Sequence, residues 1–201
     1  MKEKKSSASV KSAAPIFKKT KNMNPLKEKY NKEVVPAMKK KFGYKNVMSV
    51  PKLVKVVLST GTGAEKDDVR KEAVAKSLTQ IAGQKLVKNL AKRSIATFKV
   101  REGMPVGYSV TLRGARMYDF LYKFLNVTLA RVRDFRGLDP KIIDSMGNIT
   151  IGLKEHMVFP EVSDEDVRSA FGLSITIATT AKNKEEALEF FTSLGVPFKK
   201  K

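Results

Sequence analysis

Four stretches of the chain alternate between apolar and polar residues, with the period of two that is typical of half-buried strands. They are 53–58, 108–113, 149–154 and 173–180. The residues predicted to point inward are Val54, Val56, Leu58, Tyr108, Val110, Leu112, Ile149, Ile151, Leu153, Leu173, Ile175 and Ile177. The opposite positions carry small hydroxyl side chains and a few cations. Segments 84–90 and 97–101 are further strand candidates.

Four other stretches repeat apolar residues every three or four positions, which indicates amphipathic helices. They are predicted at 25–42, 67–82, 115–131 and 184–194. Pro36 lies inside the first helix and is expected to kink or split it. The last helix is expected to begin with a capping pair of Asn183 and Glu186. Its predicted inward residues are Leu188 and Phe191.

These elements predict an α+β fold of two layers, in which a mostly antiparallel mixed sheet has helices on one face and an open polar face. The aromatic residues fall on inward positions, so the open face is not expected to stack unpaired bases. A hydroxyl-rich, basic face instead suits a folded RNA, contacted through phosphates, 2′-hydroxyls and shape. Residues 1–22 predict a disordered basic extension, followed by a single domain over 23–201.

The charge of the chain is strongly and unevenly positive. It has 40 Lys and Arg against 20 Asp and Glu, a net charge of +20. Residues 85–136 contain twelve basic and three acidic residues, net +9, whereas residues 137–201 contain eight and ten, net −2. Such a surplus favours a polyanionic partner, with nucleic acid ahead of an anionic membrane surface. The absence of cysteine excludes disulfides, thiolate metal sites and cysteine nucleophiles.

Candidate catalytic chemistry is sparse. Gly61-Thr62-Gly63 follows a predicted strand, but Lys66 stands where a dinucleotide fingerprint needs its third glycine, so tight-turn glycines are expected. His156 is the only histidine, and a structural or exposed role is expected for it. No metal-ligand cluster, phosphate-binding loop or 18-residue apolar window occurs in the sequence. The prediction is a cytoplasmic protein without catalytic role, cofactor, metal, membrane attachment or homo-oligomeric state.

Two basic segments are candidates for RNA contact. Residues 88–103 hold five basic residues against one acidic residue and link two strand candidates, which predicts a projecting basic hairpin loop. Residues 131–137, with the sequence RVRDFRG, end the third helix. Three arginines in six residues exceed what the helix dipole requires, so phosphate contact is expected.

Long motifs in these segments resemble the family of the bacterial large-subunit ribosomal protein numbered five, the 5S rRNA-binding protein of the central protuberance. The matching stretches are LKEKYNKEVVPAM at 26–38, NVMSVPKLVKVVL at 46–58, IAGQKLV at 81–87, AKRSIATFKVREGMPVG at 91–107, VTLRGARMYDFL at 110–121, RVRDFRGL at 131–138, FPE at 159–161 and the closing GVPFKK. The resemblance covers 24–200 and leaves the extension outside it, where we expect an RNA-threading arm that orders on assembly.

The resemblance implies binding of 5S rRNA and large-subunit rRNA, contact with P-site tRNA, and a bridge to a small-subunit head protein, beside neighbouring large-subunit proteins. The positions implied to bind 5S rRNA are Ser59, Gln84 and Thr111, with Lys55 and Arg113 beside them. Those of the tRNA and rRNA loop are Lys88, Lys92, Arg93, Ser94, Thr97, Lys99 and Arg101. Those for rRNA phosphates are Arg116, Arg131, Arg133 and Arg136. Those of the bridge loop are Lys141, Asp144, Met146 and Asn148.

Two of these regions depart from the family pattern. Ser59 stands where the family usually has asparagine, which implies a shorter or water-bridged contact. The bridge loop, Ile143 to Asn148, lacks the family's aromatic residue and arginine.

Three alternative functions remain open on the sequence. A free-standing RNA chaperone would share the charge but would not co-sediment with large subunits. A nucleotide-dependent enzyme at Gly61 and Gly63 would bind labelled nucleotides in equilibrium dialysis. A peripheral membrane protein would need a basic amphipathic helix with an exposed apolar face, which the sequence does not show.

Overall fold

The computed structural model describes residues 24–63, 67–162 and 170–199, so the predicted extension over 1–22 lies outside the described residues. The strands form one five-stranded sheet in the order β2-β3-β1-β5-β4. They are β1 (Leu53–Gly61), β2 (Val87–Leu90), β3 (Pro105–Leu112), β4 (Ile149–Leu153) and β5 (Leu173–Thr179). Every pair of neighbouring strands is antiparallel. The predicted α+β class is confirmed.

The helices cover one face of this sheet and form a single hydrophobic core with it. Helix α1 has three consecutive pieces, α-helical Pro25–Lys29, a π-helical turn Tyr30–Val34 and α-helical Val35–Phe42. Helix α2 spans Asp68–Ala82, and α4 spans Lys184–Leu194. Helix α3 is α-helical over Gly114–Lys123, π-helical over Phe124–Thr128 and α-helical again over Leu129–Arg131.

The π-helical turn of α1 follows from the spacing of its apolar residues. Leu26, Tyr30, Val34 and Met38 recur every four residues, and a regular α-helix would rotate each about 40° past the previous one. A wider turn removes that drift and keeps Leu26, Val34 and Met38 buried. Pro36, which has no N–H to donate, lies just after this turn, and the helix continues through it to Phe42 with a change of helical type and no break in the chain of helical residues.

A tyrosine at the start of the π-helical turn links α1 to the segment before β1. The Tyr30 hydroxyl donates to the Pro51 carbonyl at 3.1 Å. Burial raises the pKa of the Tyr30 hydroxyl, with a smaller contribution from Tyr118 of α3, and burial also raises the pKa of Tyr118.

The inward face of the sheet agrees with the predicted alternation except at the start of β1. Val54 was predicted to be buried, but Leu53 is buried and Val54 is exposed. The reason is an irregularity between Leu53 and Lys55 in the pairing of β1 with β5, where Leu53 faces Thr179 and Lys55 faces Ala178. The additional residue of this bulge shifts the alternation by one position.

Three local predictions are wrong. Residues 97–101 do not form a strand, since Ala96–Phe98 is a 3₁₀ turn closed by an isolated bridge between Ile95 and Val100. The Asn183 side chain makes no capping bond at α4, and Glu186 accepts instead from the Lys182 N–H at 2.8 Å and from the Tyr44 hydroxyl. The missed inward residue of α4 is Phe190, which is fully buried, whereas Leu188 is only half-buried.

Two residues that were considered above as candidates for catalysis or nucleotide binding have structural roles. His156 is fully buried, stacks on the Phe171 ring at 4.0 Å between centroids, and its Nδ1 accepts the Phe171 N–H at 3.3 Å. Gly61 does not form the expected tight turn, because it is the last residue of β1 and pairs with Gly107 of β3. The Thr62 N–H continues the ladder by donating to the Val106 carbonyl at 2.9 Å.

Candidate nucleic-acid interface

The open face of the sheet carries a row of side chains from one edge to the other, and all of them except Val87 are small. In register across the five strands, the row consists of Val87, Ser109, Ser59, Ser174 and Gly152. Four spacings of about 4.8 Å make this row roughly 19 Å long. We call the outward positions of the five strands the open face. Among the described positions of these strands, the open face carries no aromatic side chain, as predicted.

Glycines flatten the open face beside this row. Gly61 and Gly107 lie opposite each other and line a shallow groove of about 510 Å³, together with Asn89 and Gly172. Gly107 is required by the fold, since a Cβ there would lie 2.7 Å from the Thr60 carbonyl oxygen. A Cβ at Gly61 or Gly152 would have no neighbour within 4 Å. These two glycines therefore leave space that the fold itself does not fill, and a partner's backbone can approach closely there.

The predicted 5S rRNA residues fall into two groups on this surface. Lys55 and Ser59 lie on the outward positions of β1, both half-exposed. Gln84, Thr111 and Arg116 meet at one corner, where Gln84 Nε2 donates to the Thr111 carbonyl at 3.3 Å. Arg116 Nη1 donates to Gln84 Oε1 at 3.4 Å. The exposed Arg113 follows β3 at the same corner. This basic corner therefore collects three of the predicted 5S rRNA residues together with Arg116, which was predicted to contact rRNA phosphates.

One outward residue was missed in the sequence. Asn89 Oδ1 accepts from the Ser109 hydroxyl at 3.1 Å and lies on the open face, opposite Gly107. Only the alternation of inward and outward positions along β2 could have indicated Asn89, and a strand of four residues is too short to show that alternation. Lys88, predicted for the RNA loop, lies on the other face of β2, opposite Tyr108.

The basic loop between β2 and β3 is the projecting hairpin that the sequence predicted. The Ala91 N–H donates to the Met104 carbonyl at 2.9 Å, and the Ile95 N–H donates to the Val100 carbonyl at 2.9 Å, so the hairpin continues beyond the strands. Its predicted contact residues outside the strands are all exposed. They are Lys92, Arg93, Ser94, Thr97, Lys99 and Arg101. Ser94 is also part of the loop's framework, because its hydroxyl accepts the Glu102 N–H at 3.0 Å.

The arginine-rich turn lies at the opposite edge of the sheet, beside β4. Arg131, Arg133 and Arg136 are exposed there. None of the three forms an ion pair with another residue that the structure describes. Lys199, which no sequence pattern connects with this turn, lines the same cavity as Arg133 and Arg136. The two basic regions of the sequence thus flank the open face from its two edges.

The predicted bridge loop separates into exposed and structural residues. Lys141, Asp144 and Met146 are exposed, Met146 to 67% of its surface. Asn148 is turned toward the fold, where its Oδ1 accepts the Thr179 N–H at 3.1 Å. Met146 therefore presents the largest exposed apolar side chain of this loop.

The described part of the chain contains neither a metal-ligand cluster nor a membrane-spanning helix. No group of three or more His, Asp or Glu side chains in residues 24–63, 67–162 and 170–199 is arranged to hold a metal ion. Within the same residues, no helix has the length and apolar character required to cross a bilayer. The outward positions of the sheet and the two basic regions carry hydroxyl, glycine and cationic groups beside the valines Val57 and Val87. Hydroxyl and cationic groups can hydrogen-bond to phosphates and sugars, and the cations can neutralise phosphates.

Comparison with known proteins identifies the family. A model of the C-terminal part of the ribosomal L5 family matches residues 105–198, and a model of ribosomal protein L5 matches residues 46–101. Large ribosomal subunit protein uL5 of Fervidobacterium nodosum is 54% identical over 179 residues, which are 88% of this chain and 96% of that protein. The uL5 of Thermotoga maritima is 51% identical over 177 residues, 88% of this chain and 96% of the relative. The uL5 of Thermoanaerobacter sp. is 51% identical over 179 residues, which are 89% of this chain and 100% of that protein.

The residues that these two models match include all five strands and nearly all of both basic regions. The chain belongs to the ribosomal protein L5 (uL5) family, and it is therefore a structural, non-enzymatic constituent of the large ribosomal subunit in the cytoplasm, as the sequence predicted.

Proposed function

We propose that this protein binds 5S rRNA with its open face and helps to attach that RNA to the large-subunit rRNA. The observation that carries the proposal is the row from Val87 to Gly152, in which three serine hydroxyls and one glycine follow Val87 across the width of the sheet. Hydroxyl groups donate and accept, so they suit both the phosphate oxygens and the 2′-hydroxyls of a folded RNA.

The charge around this strip supports RNA over a protein partner. Lys55, Arg113 and Arg116 lie at or beside the open face, and Arg133 and Arg136 lie at its β4 edge. Cations at both sides of a polar strip match a backbone that carries one negative charge per nucleotide. The bound RNA would release counterions, so its affinity is expected to fall steeply with salt.

The basic loop and the bridge loop would reach partners beyond the RNA on the sheet. The basic loop projects from the β2 edge with Arg93 and Arg101 exposed, and we assign it to P-site tRNA and adjacent rRNA. The bridge loop presents Lys141 and Met146, and we assign it to a protein of the small-subunit head. Their separation from the open face means that each contact can be removed without the others.

A charge placed on the open face tests the proposal. Thr111→Glu puts a carboxylate at an exposed position of that face, and we expect the affinity for a 5S rRNA transcript to fall at least about tenfold. Thr192→Glu is the matched control, since Thr192 is an exposed threonine on α4 in the helix layer. Filter binding at fixed salt measures both variants. Equal affinities of the two variants for the transcript would overturn the proposal.

A further inference from the structure

The arginine-rich turn is held in place by residues from a distant part of the chain. Leu138, directly after the turn, pairs with Phe198 as an isolated parallel bridge. The Leu138 N–H donates to the Pro197 carbonyl at 2.8 Å, and the Lys199 N–H donates to the Leu138 carbonyl at 2.9 Å. Because both bonds are between backbone groups, they place Lys199 beside the turn through main-chain geometry, whatever the side chains are.

Gly137 makes this close pairing possible. Its φ is +97°, and a Cβ there would lie 2.9 Å from the Lys199 nitrogen and 3.0 Å from the Phe198 carbonyl carbon. Both neighbours are backbone atoms, which cannot move aside without breaking the bridge. Any larger residue at Gly137 would therefore separate residues 197–199 from the turn.

The bridge brings three cations around one cavity. Arg133, Arg136 and Lys199 line a cavity of about 250 Å³ whose apolar lining includes Ile151 and Leu153 of β4. All three cations are exposed, and none forms an ion pair among the residues that the structure describes. The one carboxylate in the lining is that of Asp134, so the formal charge of the lining is +2. The Asp134 carboxylate offsets only part of the mutual repulsion of the three cations.

This cavity adjoins the open face. Gly152, which ends the row of small residues, and Leu153 both line it, and Leu153 also lines the groove at Gly61 and Gly107. An RNA backbone that lies across the open face reaches the three cations at the β4 edge. A protein partner would instead have to supply two or more carboxylates on a surface that also fits the hydroxyl strip.

We propose that Arg133, Arg136 and Lys199 form one composite phosphate site, which holds the backbone of the 5S rRNA at the β4 edge of the open face and depends on the bridge at Gly137. The proposal rests on the proposed binding of 5S rRNA. It adds Lys199 as a contact residue and makes Gly137 a positioning residue, since Gly137 acts only by letting residues 197–199 approach the turn.

The salt dependence of 5S rRNA binding tests the composite site. The logarithm of the association constant falls linearly with the logarithm of the salt concentration, and each lost phosphate contact lowers the steepness by about one. Lys199→Ala and Arg136→Ala should each show this loss. Lys184→Ala is the matched control, because Lys184 is an exposed lysine at the first position of α4 and does not line the cavity. Its slope should equal that of the unmodified protein.

Gly137→Ala tests the positioning role without removing a charge. It should reduce the slope as Lys199→Ala does, and the double variant should show no further reduction, since both changes remove the same contact. Gly43→Ala is the control, because Gly43 also has a left-handed φ, +66°, but a Cβ there would meet nothing within 4 Å. Thermal melting identifies any variant that fails to fold. If Gly137→Ala does not fold, the salt dependence of the Lys199 and Arg136 variants decides whether the composite site exists.

The outcomes separate this inference from the proposed function. If the unmodified protein does not bind the 5S rRNA transcript, the proposed function fails and this inference fails with it. If it binds, and Lys199→Ala leaves the slope unchanged, the composite site alone is overturned. If the Lys199 and Arg136 variants both lower the slope while the Lys184 variant does not, the composite site is supported.

Discussion

The side-chain amide of Gln84 donates a hydrogen bond to the backbone carbonyl of Thr111 at 3.3 Å and so joins the end of α2 to the end of β3. The same side chain accepts from Arg116 at 3.4 Å. Gln84 thereby orients an arginine at the basic corner of the open face while remaining half-exposed itself. Gln84, Thr111 and Arg116, which the resemblance to the family implies for RNA contact, are thus neighbours in the folded structure.

Replacing Gln84 should reduce RNA binding more than stability. Gln84→Ala removes two long, solvent-exposed hydrogen bonds, which is expected to lower the free energy of unfolding by no more than about 1 kcal/mol. Loss of the oriented Arg116 and of the amide should weaken 5S rRNA binding about tenfold. Urea unfolding and filter binding measure the two quantities. Gln80→Ala, at an exposed glutamine of α2, is the control and should change neither.

Two glycines of the sheet should respond in opposite ways to the same substitution. Gly107→Ala is expected to lower the free energy of unfolding by about 1–3 kcal/mol, because the new Cβ would lie 2.7 Å from the Thr60 carbonyl oxygen. Gly152→Ala has no such neighbour and should change stability by less than about 0.5 kcal/mol. Its methyl group nevertheless stands on the open face and should weaken 5S rRNA binding. Stable Gly107→Ala protein would disprove the role of that contact.

The basic loop should be separable from the open face. Arg93 and Arg101 are exposed and form no ion pair with a described residue, so replacing both by alanine should leave melting temperature and 5S rRNA affinity unchanged. Ribosomes that carry the double variant should position P-site tRNA less well, measured by tRNA dissociation rates. Loss of 5S rRNA binding instead would show that the loop and the open face act on the same RNA.

In the bridge loop, Asn148 should contribute to stability and Met146 to contact with the partner. Asn148→Ala leaves the Thr179 N–H without its acceptor and is expected to lower the free energy of unfolding by about 1–3 kcal/mol. Met146→Ala removes an exposed side chain and should leave stability within about 0.5 kcal/mol. Subunit association, followed by light scattering, should weaken with Met146→Ala. Unaltered association would remove Met146 from the bridge.

The stability of the start of α4 should depend on Glu186 rather than on Asn183. Glu186→Ala leaves the Lys182 N–H and the Tyr44 hydroxyl without an acceptor in a buried position, which is expected to lower the free energy of unfolding by about 2–3 kcal/mol. Asn183→Ala removes no side-chain capping bond and should have an effect below about 0.5 kcal/mol. Chemical unfolding of the two variants measures this difference, and equal losses would contradict the assignment.

Local patterns could predict the elements because each reports on a short stretch of backbone. Period-two alternation identified β3, β4 and β5 with their inward residues, and period-four spacing identified α1. The same patterns failed at Val54, because a bulge depends on how β1 meets β5 and not on β1 alone. Asn183 and Glu186 formed a plausible pair in sequence, but the partner of Glu186, Tyr44, comes from the other end of the chain.

By itself, the amino-acid sequence determined the α+β class, the hydroxyl-rich outward face, the excess of positive charge and the family. These properties depend on residue type and on spacing over a few positions. Only the tertiary structure decided that Lys199 joins Arg133 and Arg136, that Gln84 meets Arg116, and that Asn148 holds Thr179. Each of these contacts joins residues that are remote along the chain, and their distance in space is fixed by the packing of the whole sheet and its helices rather than by any local preference.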